Sequence, residues 1–304
     1  MAGTDPQGTP EDRVSVSEFL DQLAHQRQAS AHTISAYSRD LRKLLQFTGT
    51  QSLAQLQSAQ IGRFVMQLHG GGLAPRSIAR TLSSWRSYYR WLARRGALAQ
   101  NPCEGIRTPK QPRLLPKALT LEQMGALLDA PAETLSDLRD QAMFELFYSS
   151  GLRLSELASL DCNGGLDLRE GEVRVTGKRA KTRIVPLGHK ARTAIELWLA
   201  RRGEMATGNE PALFVNPRGQ RLSPRSIQRR LSSWTQKHGL AVHVTPHMLR
   251  HSFASHLLQS SGDLRAVQEM LGHANISTTQ IYTHLDFQHL AKVYDNAHPR
   301  ARRK

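Results

Sequence analysis

Residues 101–120 have the sequence NPCEGIRTPKQPRLLPKALT and lie between two regions with regular apolar spacing. This stretch contains four prolines and shows no apolar periodicity. Proline fixes φ and lacks an N–H donor, so such a run favours neither helix nor strand. It predicts a linker between two domains, which we place at residues 101–118. The chain of 304 residues is long enough for a domain of ordinary size on each side.

A helical domain is predicted before the linker, at residues 12–100. Apolar residues recur there at a spacing of three to four, most weakly in the third segment. The predicted helices span residues 14–28, 32–48, 53–68 and 75–95. The last has proline in its first turn and ends before Gly96. Residues 1–11, which are acidic and rich in Pro and Gly, are predicted to be a disordered tail and do not resemble a signal peptide.

A mixed α/β domain, mainly helical with a small antiparallel sheet, is predicted at residues 119–304. Its predicted helices span residues 121–128, 136–148, 190–202, 223–238, 248–259, 264–271 and 277–284. Residues 171–187 alternate apolar and polar side chains around a turn, which indicates a β-hairpin. After the turn, the apolar residues are Ile184, Val185 and Leu187. The predicted fold class is therefore mostly α with two domains, and we find no internal repeat.

The composition narrows the classes of function. A formal net charge of +16 favours an extended polyanion such as nucleic acid as the partner. An enzyme of anionic metabolites or a protein that binds anionic membranes is the alternative from charge alone. Cys103 and Cys162 lie in no CxxC motif, which excludes a disulfide framework and a cysteine zinc site. No apolar run approaches the ~20 residues of a membrane span, and we expect a cytoplasmic protein.

The first domain has a strongly one-sided charge. Residues 41–103 contain no acidic residue but nine Lys and Arg residues. On the fourth helix, five arginines fall within an arc of about 120° at ~100° per residue. The opposite side carries Ile78, Leu82, Trp85, Tyr89 and Leu92. Such a face suits phosphate contacts and guanine recognition, and a solvated surface is the alternative. The candidate DNA-binding residues are Arg42, Lys43, Arg76, Arg80, Arg86, Arg90 and Arg94.

Arg153 is the first candidate for chemistry. It lies in YSSGLRLSEL, residues 148–157, at the joint between one helix that ends at Gly151 and another that begins near Ser155. The alternative for this arginine is a structural ion pair with Glu156.

Lys178 is the second candidate and lies in GKRAKTR, residues 177–183, at the tip of the hairpin. An ordinary exposed turn lysine is the alternative. The preceding glycine spacing loosely resembles a P-loop. It has five intervening residues, however, and Arg179 stands where Ser or Thr should bind magnesium, so nucleotide binding is excluded.

His247 and Arg250 lie in TPHMLRHSFASH, residues 245–256, three apart on one helical face. Partial burial beside apolar residues would strengthen their charge on a bound phosphate. A metal site formed with His251 is the alternative. The glutamate of an HExxH motif is missing and a cation lies beside the ligands, so we predict no metal.

His273 and Tyr282 lie in LGHANISTTQIYTHL, residues 271–285. Gly272 is predicted to end one helix, and an S-x-x-Q capping box at Ser277 starts the next. Tyr282 then falls in the first turns of that helix, and a half-buried core tyrosine is the alternative.

Together these six residues are the set that metal-free phosphoryl transfer requires. Cations offset the charge that builds on the phosphate oxygens in the transition state. A tyrosine supplies an oxygen nucleophile, and a proton donor neutralises the departing sugar oxygen.

The order and spacing of these motifs resemble the tyrosine recombinase (phage integrase) family over residues 12–300. GKRAKTR departs modestly from the commoner GKGNKER-like hairpin but keeps the lysine. The resemblance implies that Tyr282 attacks the scissile phosphate to give a 3′-phosphotyrosyl intermediate and a free 5′-hydroxyl. It further implies the other roles: Arg153 and Arg250 hold the non-bridging oxygens with help from His273, His247 takes part in proton transfer, and Lys178 protonates the 5′-oxygen. Neither ATP nor any cofactor is implied.

The resemblance also implies an assembly. The first domain would be a four-helix SAM-like domain, and the two domains would grip double-stranded DNA as a C-shaped clamp. Four subunits would act on two duplexes, with a second recombinase of the same family as partner at a dif-like site and a DNA translocase as activator. The segment 286–298 would dock on a neighbouring subunit through Phe287, Leu290 and Val293. The alternatives are a phage or mobile-element integrase, a type IB topoisomerase, and a non-catalytic sequence-specific DNA-binding protein.

Overall fold

The computed structural model describes residues 8–25, 29–109, 118–177, 182–272 and 284–301, with only the backbone at residues 284–289. The chain divides into two compact units, residues 1–114 and residues 115–304. The helix predicted at residues 277–284 lies almost wholly outside the described residues. Across the part of the chain that the structure describes, no helix has the length and apolar character that crossing a membrane requires.

Helices form the first unit. They are α1 Pro10–His25, α2 Ala31–Thr48, α3 Ser58–Gly70 and α4 Pro75–Arg94, with a 3₁₀ turn at Leu53–Gln55. The predicted start of α1 was wrong, because Thr9 Oγ1 accepts the backbone N–H of Asp12 at 3.2 Å and caps the helix earlier. The third predicted helix is split: the 3₁₀ turn ends at Gln55, and α3 starts anew after Gln57, whose backbone N–H donates to Gln60 Oε1 at 3.0 Å.

The core of this unit lies along α4. Ile78, Leu82, Trp85 and Tyr89 are fully buried, which confirms the predicted apolar face. Trp85 Nε1 donates to the carbonyl of Asp40 on α2 at 2.8 Å. The buried indole N–H is therefore satisfied, and this hydrogen bond joins α4 to α2.

The second unit combines helices with a three-stranded sheet. The helices are α5 Leu121–Leu128, α6 Leu135–Ser150, α7 Leu154–Ala158, α8 His189–Arg202, α9 Pro224–Lys237, α10 Pro246–Ser261, α11 Leu264–Leu271 and α12 His284–Ala297. The strands are β1 Leu166–Asp167, β2 Glu172–Thr176 and β3 Thr182–Pro186, all antiparallel in the order β1-β2-β3. The predicted hairpin is β2–β3. β1 was not predicted, because two residues are too few to show alternation.

Helix α6 is the centre of this unit and packs against α8 and α10. It ends at Gly151, which adopts φ 54°. A Cβ at this position would lie 2.3 Å from the ring of Phe253 on α10. Only glycine combines this left-handed conformation with such a close approach. The turn after α6 therefore lies directly against α10, and this contact positions Arg153.

The C-terminal helix α12 packs on its own unit. Leu290 is 1% exposed and Val293 packs beside it in the core of this chain, against α10 and β3. Docking of these residues on a neighbouring subunit stays a prediction. Beyond the helix, Arg300 donates to buried Glu145 at 2.9 Å. The side chain of Phe287 lies outside the described residues.

Candidate active site

Arg153 lies at the N-cap of α7, between the end of α6 and the first turn of α7. Its backbone N–H donates to Glu156 Oε2 at 2.6 Å, and its guanidinium Nη1 donates to Glu156 Oε1 at 2.8 Å. The predicted alternative, an ion pair with Glu156, is therefore present. The side chain remains 34% exposed, so the pairing leaves part of the guanidinium open to solvent.

Arg250 projects from the second turn of α10 towards the same place. Its guanidinium donates to the carbonyl of Gly151 and, at 2.6 Å, to the carbonyl of Leu271. Burial, followed by the positive charges of Arg153 and Arg183, lowers the pKa of Arg250 to about 10. The group stays protonated at neutral pH. A bound anion would offset the nearby positive charges and stabilise the charged form of Arg250.

The two arginines meet at the end of α11. Arg153 Nη2 donates to the carbonyl of Gly272 at 3.0 Å, and Arg250 Nη2 donates to that of Leu271, the preceding residue. The hydrogen bonds described here use two of the five N–H groups of each guanidinium. Consecutive carbonyls thus hold two cations close enough together to contact one phosphate.

His247 lies in the first turn of α10, three residues before Arg250, and is exposed. Thr245 caps this helix by accepting the backbone N–H of Met248 at 3.3 Å. The N-terminal end of a helix favours a bound anion, and the exposed imidazole lies at that end. Among the described residues there is no cluster of three His, Cys, Asp or Glu side chains that could hold a metal.

Lys178, His273 and Tyr282 lie outside the described residues. Lys178 follows Gly177 directly in the chain, and His273 follows Gly272 directly. The structure therefore brings together Arg153 and Arg250 and leaves the positions of the other three as predictions.

Sequence reasoning missed Arg183, which is buried in the same cluster with 6% of its side chain exposed. Val175 pairs with Arg183 and Val173 with Val185 across β2 and β3. Cross-strand partners lie on one face of a sheet, so an inward Val175 requires an inward Arg183. The alternation of β3 therefore carried a signal for a buried Arg183, which the sequence analysis did not use.

The predicted DNA-binding residues of the first unit separate into two groups. Arg76, Arg90, Arg94 and Arg42 are exposed, and Lys43 is half-buried. The other two have partners within the unit. Arg80 pairs with the buried carboxylate of Asp40, and Arg86 Nε donates to the carbonyl of Cys103 at 3.1 Å.

A second basic helix was also missed, and the statement that the chain has no internal repeat was wrong. PRSIARTLSSW, residues 75–85, and PRSIQRRLSSW, residues 224–234, are identical at nine of eleven positions. They begin α4 and α9, one in each unit. The shared apolar positions are buried in both: Ile78, Leu82 and Trp85, and Ile227, Leu231 and Trp234. Arg225 and Arg229 are exposed, as are Arg76 and Arg80.

Comparison with known proteins gives matches along nearly the whole chain. Residues 117–289 match the phage integrase family, and residues 16–96 match the N-terminal SAM-like domain of phage integrases. Tyrosine recombinase XerC of Ralstonia pickettii (strain 12J) is 49% identical, over 100% of this chain and 99% of that protein. Its counterpart in Pseudomonas aeruginosa (strain LESB58) is 51% identical, over 96% and 97%.

Among solved structures, the chain resembles the XerH site-specific recombinase bound to a palindromic difH substrate. The TM-score is 0.68 at 23% identity, over 96% of this chain and 90% of that one. At that identity the likeness concerns the fold. Together with the domain matches, it confirms the predicted fold class, a helical SAM-like domain followed by a mainly helical domain with a small antiparallel sheet.

Proposed function

This chain belongs to the phage integrase family of tyrosine recombinases and is a DNA strand transferase, and we propose that Tyr282 is its nucleophile. The observation that carries the proposal is the meeting of Arg153 and Arg250 on the carbonyls of residues 271 and 272. Residues 271 and 272 are the first two residues of the motif LGHANISTTQIYTHL, which contains Tyr282. A phosphate held by both guanidinium groups therefore lies beside the start of this motif.

In the proposed reaction, the Tyr282 oxygen attacks the scissile phosphorus and its proton passes towards His247. The bond from phosphorus to the 5′-oxygen breaks, and Lys178 gives that oxygen a proton. Arg153 and Arg250, assisted by His273, offset the charge on the non-bridging oxygens. The phosphotyrosyl bond keeps the energy of the phosphodiester, so a 5′-hydroxyl from another strand can reverse the step without ATP or a metal ion.

DNA binding in the proposal involves exposed arginines of both units. Arg76 and Arg90 in the first unit and Arg225 and Arg229 in the second lie on helices whose opposite faces are buried. Guanidinium groups displace counterions from the phosphate backbone, which fits the net charge of +16.

The named relatives suggest the biological role. We infer that the chain acts in the cytoplasm with a XerD-like partner recombinase, as a heterotetramer on two duplexes at a dif-like site. Its task is to resolve chromosome dimers before cell division, with a DNA translocase as activator. Full-length identity of about 50% to proteins named XerC supports this inference.

A nicked suicide substrate tests the chemistry. The protein should form a covalent adduct with DNA that survives denaturation, and should do so in EDTA. Tyr282→Phe should form none while it binds DNA with nearly unchanged affinity. Tyr37→Phe, a half-buried tyrosine of the first unit, is the matched control and should still form the adduct. An adduct with Tyr282→Phe, or cleavage that stops in EDTA and needs magnesium for the chemical step, would contradict the proposal.

The partner is tested separately. Recombination between two dif-like sites should require the XerD-like recombinase from the same organism, while adduct formation alone identifies the enzyme. Efficient recombination by the chain alone at a phage attachment site would favour the mobile-element alternative.

A further inference from the structure

A buried cation lies beside the two arginines of the site. Arg183, on β3, has 6% of its side chain exposed, and all three types of its guanidinium nitrogen are engaged. Nη1 and Nη2 donate to the two oxygens of Glu156 at 2.7 and 2.8 Å, and Nε donates to the carbonyl of Met270 at 2.9 Å. Its side chain also lies 3.1 Å from the position of a Cβ on Gly272. Arg183 thus touches Glu156 and the end of α11 at once.

Glu156 is shared between two arginines. Its Oε1 accepts from Arg153 and Arg183, and its Oε2 accepts from the backbone of Arg153 and from Arg183. Arg183 is almost fully buried and uses three of its five N–H groups in these contacts, whereas Arg153 is one-third exposed and uses two. One carboxylate between two guanidinium groups leaves a net positive charge, and that charge is exposed on Arg153.

We propose that Arg183 is a positioning residue for strand transfer: it neutralises Glu156 so that Arg153 keeps its charge for the scissile phosphate. It also binds the carbonyl of Met270, next to the carbonyls of Leu271 and Gly272 on which Arg250 and Arg153 are held. This inference rests on the proposed function. Arg183 itself touches no DNA in it, because only 6% of its side chain is exposed.

The consequence of losing Arg183 follows from charge. The cluster of Arg153, Arg183, Arg250 and Glu156 carries a net +2 with Arg183 and +1 without it. Without Arg183, Arg153 would form a one-to-one pair with Glu156. A paired guanidinium attracts phosphate weakly, since the carboxylate repels the same oxygens.

Arg139 supplies a matched control in the same unit. Its side chain is 1% exposed, its Nη2 donates to Asp140 at 2.6 Å, and its Nη1 donates to the carbonyl of Val215 at 2.9 Å. It is therefore a buried arginine paired with a buried carboxylate and a backbone carbonyl, as Arg183 is. None of its contacts involves Arg153, Arg250 or the end of α11.

The test compares Arg183→Met with Arg139→Met on a suicide substrate under single-turnover conditions. We expect Arg183→Met to lower the cleavage rate about 10²-fold, as loss of transition-state charge stabilisation does, with DNA affinity nearly unchanged. A neutral methylphosphonate at the scissile position needs less positive charge. The rate ratio of wild type to Arg183→Met should therefore shrink about tenfold on it, while the ratio for Arg139→Met should be the same on both substrates.

Two further variants make the test independent of simple loss of folding. Arg183→Lys keeps the charge and should cleave faster than Arg183→Met. Adding Glu156→Gln to Arg183→Met removes the unshared carboxylate and should restore part of the lost rate. If the second change lowers the rate further, or if the methylphosphonate ratio does not move, Arg183 is only structural.

The proposed function and this inference fail in different ways. Wild-type protein that forms no covalent adduct with DNA overturns the proposed function. If wild-type protein forms the adduct and Arg183→Met forms it as fast as wild type on both substrates, only the role of Arg183 is overturned.

Discussion

Replacing Glu156 with Gln removes a buried negative charge while keeping the size of the side chain. Burial alone would raise the pKa of Glu156, but the hydrogen bonds and charge of Arg183, followed by the hydrogen bonds of Arg153, lower it from 4.5 to about 2. The depressed pKa means that the folded protein holds the ionised form more tightly than the unfolded chain does. The ion cluster therefore contributes stability above the unfolded pKa, and this contribution is lost as the pH falls towards 2.

The size of the effect follows from the pKa. A fall from 4.5 to about 2 corresponds to at most about 3 kcal/mol of unfolding free energy at pH 7, by linkage. At pH 3 much of that free energy is gone, and less than about half remains by the same relation. Because Gln mimics protonated Glu, Glu156→Gln should be destabilised by about 3 kcal/mol at pH 7, and the difference from wild type should shrink at acidic pH.

Urea unfolding at pH 7, 5, 4 and 3 measures this difference. The variant should shift the transition of residues 115–304 and leave that of residues 1–114 in place, which is an internal control. Glu204→Gln is the matched surface control, because its carboxylate pairs with Arg201 while half exposed, and it should change little at any pH. A difference that stays constant from pH 7 to pH 3 would refute the electrostatic account of Glu156.

The remaining predictions concern the phosphate site, the DNA surface and the turn after α6. Arg153→Ala or Arg250→Ala should each lower the rate of adduct formation by on the order of 10²–10⁴-fold, with wild-type-like binding in gel-shift assays; an unchanged rate would remove that residue from the site. Replacing Arg76 and Arg90 together should lower DNA affinity and reduce the slope of log K against log salt by about one for each lost contact, and an unchanged slope would return this face to a solvated surface. Gly151→Ala should cost about 2–4 kcal/mol in urea unfolding, since it combines a left-handed φ with a Cβ that meets an aromatic ring at 2.3 Å; an unchanged midpoint would show that the ring moves away freely.

Local signals predicted most helices because their evidence is contained within a few residues. Helices α5 and α11 have the predicted bounds, since Thr120 and Gly272 are recognisable caps at their ends. The anchoring of the 3₁₀ turn at Leu53 was not predictable in this way. The backbone N–H of Leu53 donates to Asp12, which is distant in the chain.

The basic face of α4 shows the same limit for side chains. Helical periodicity placed Arg80, Arg86 and Arg90 on one side, and that arrangement is a property of the helix alone. Which of them is available to DNA depends on neighbours. Arg80 is exposed but pairs with Asp40, and Arg86 donates a hydrogen bond to the carbonyl of Cys103. Arg90 is exposed.

The sequence by itself determined the kind of chemistry, because the types and the order of the residues that carry it survive in the linear chain. Only the tertiary structure decided how their charges are shared. Arg153 and Gly272 are 119 residues apart in the chain, yet Arg153 Nη2 lies 3.0 Å from the carbonyl oxygen of Gly272. The register of β3 places Arg183 on the face that contacts Glu156. Ion pairing depends on separations of a few ångströms and on burial, and the spacing of residues along the chain determines neither quantity.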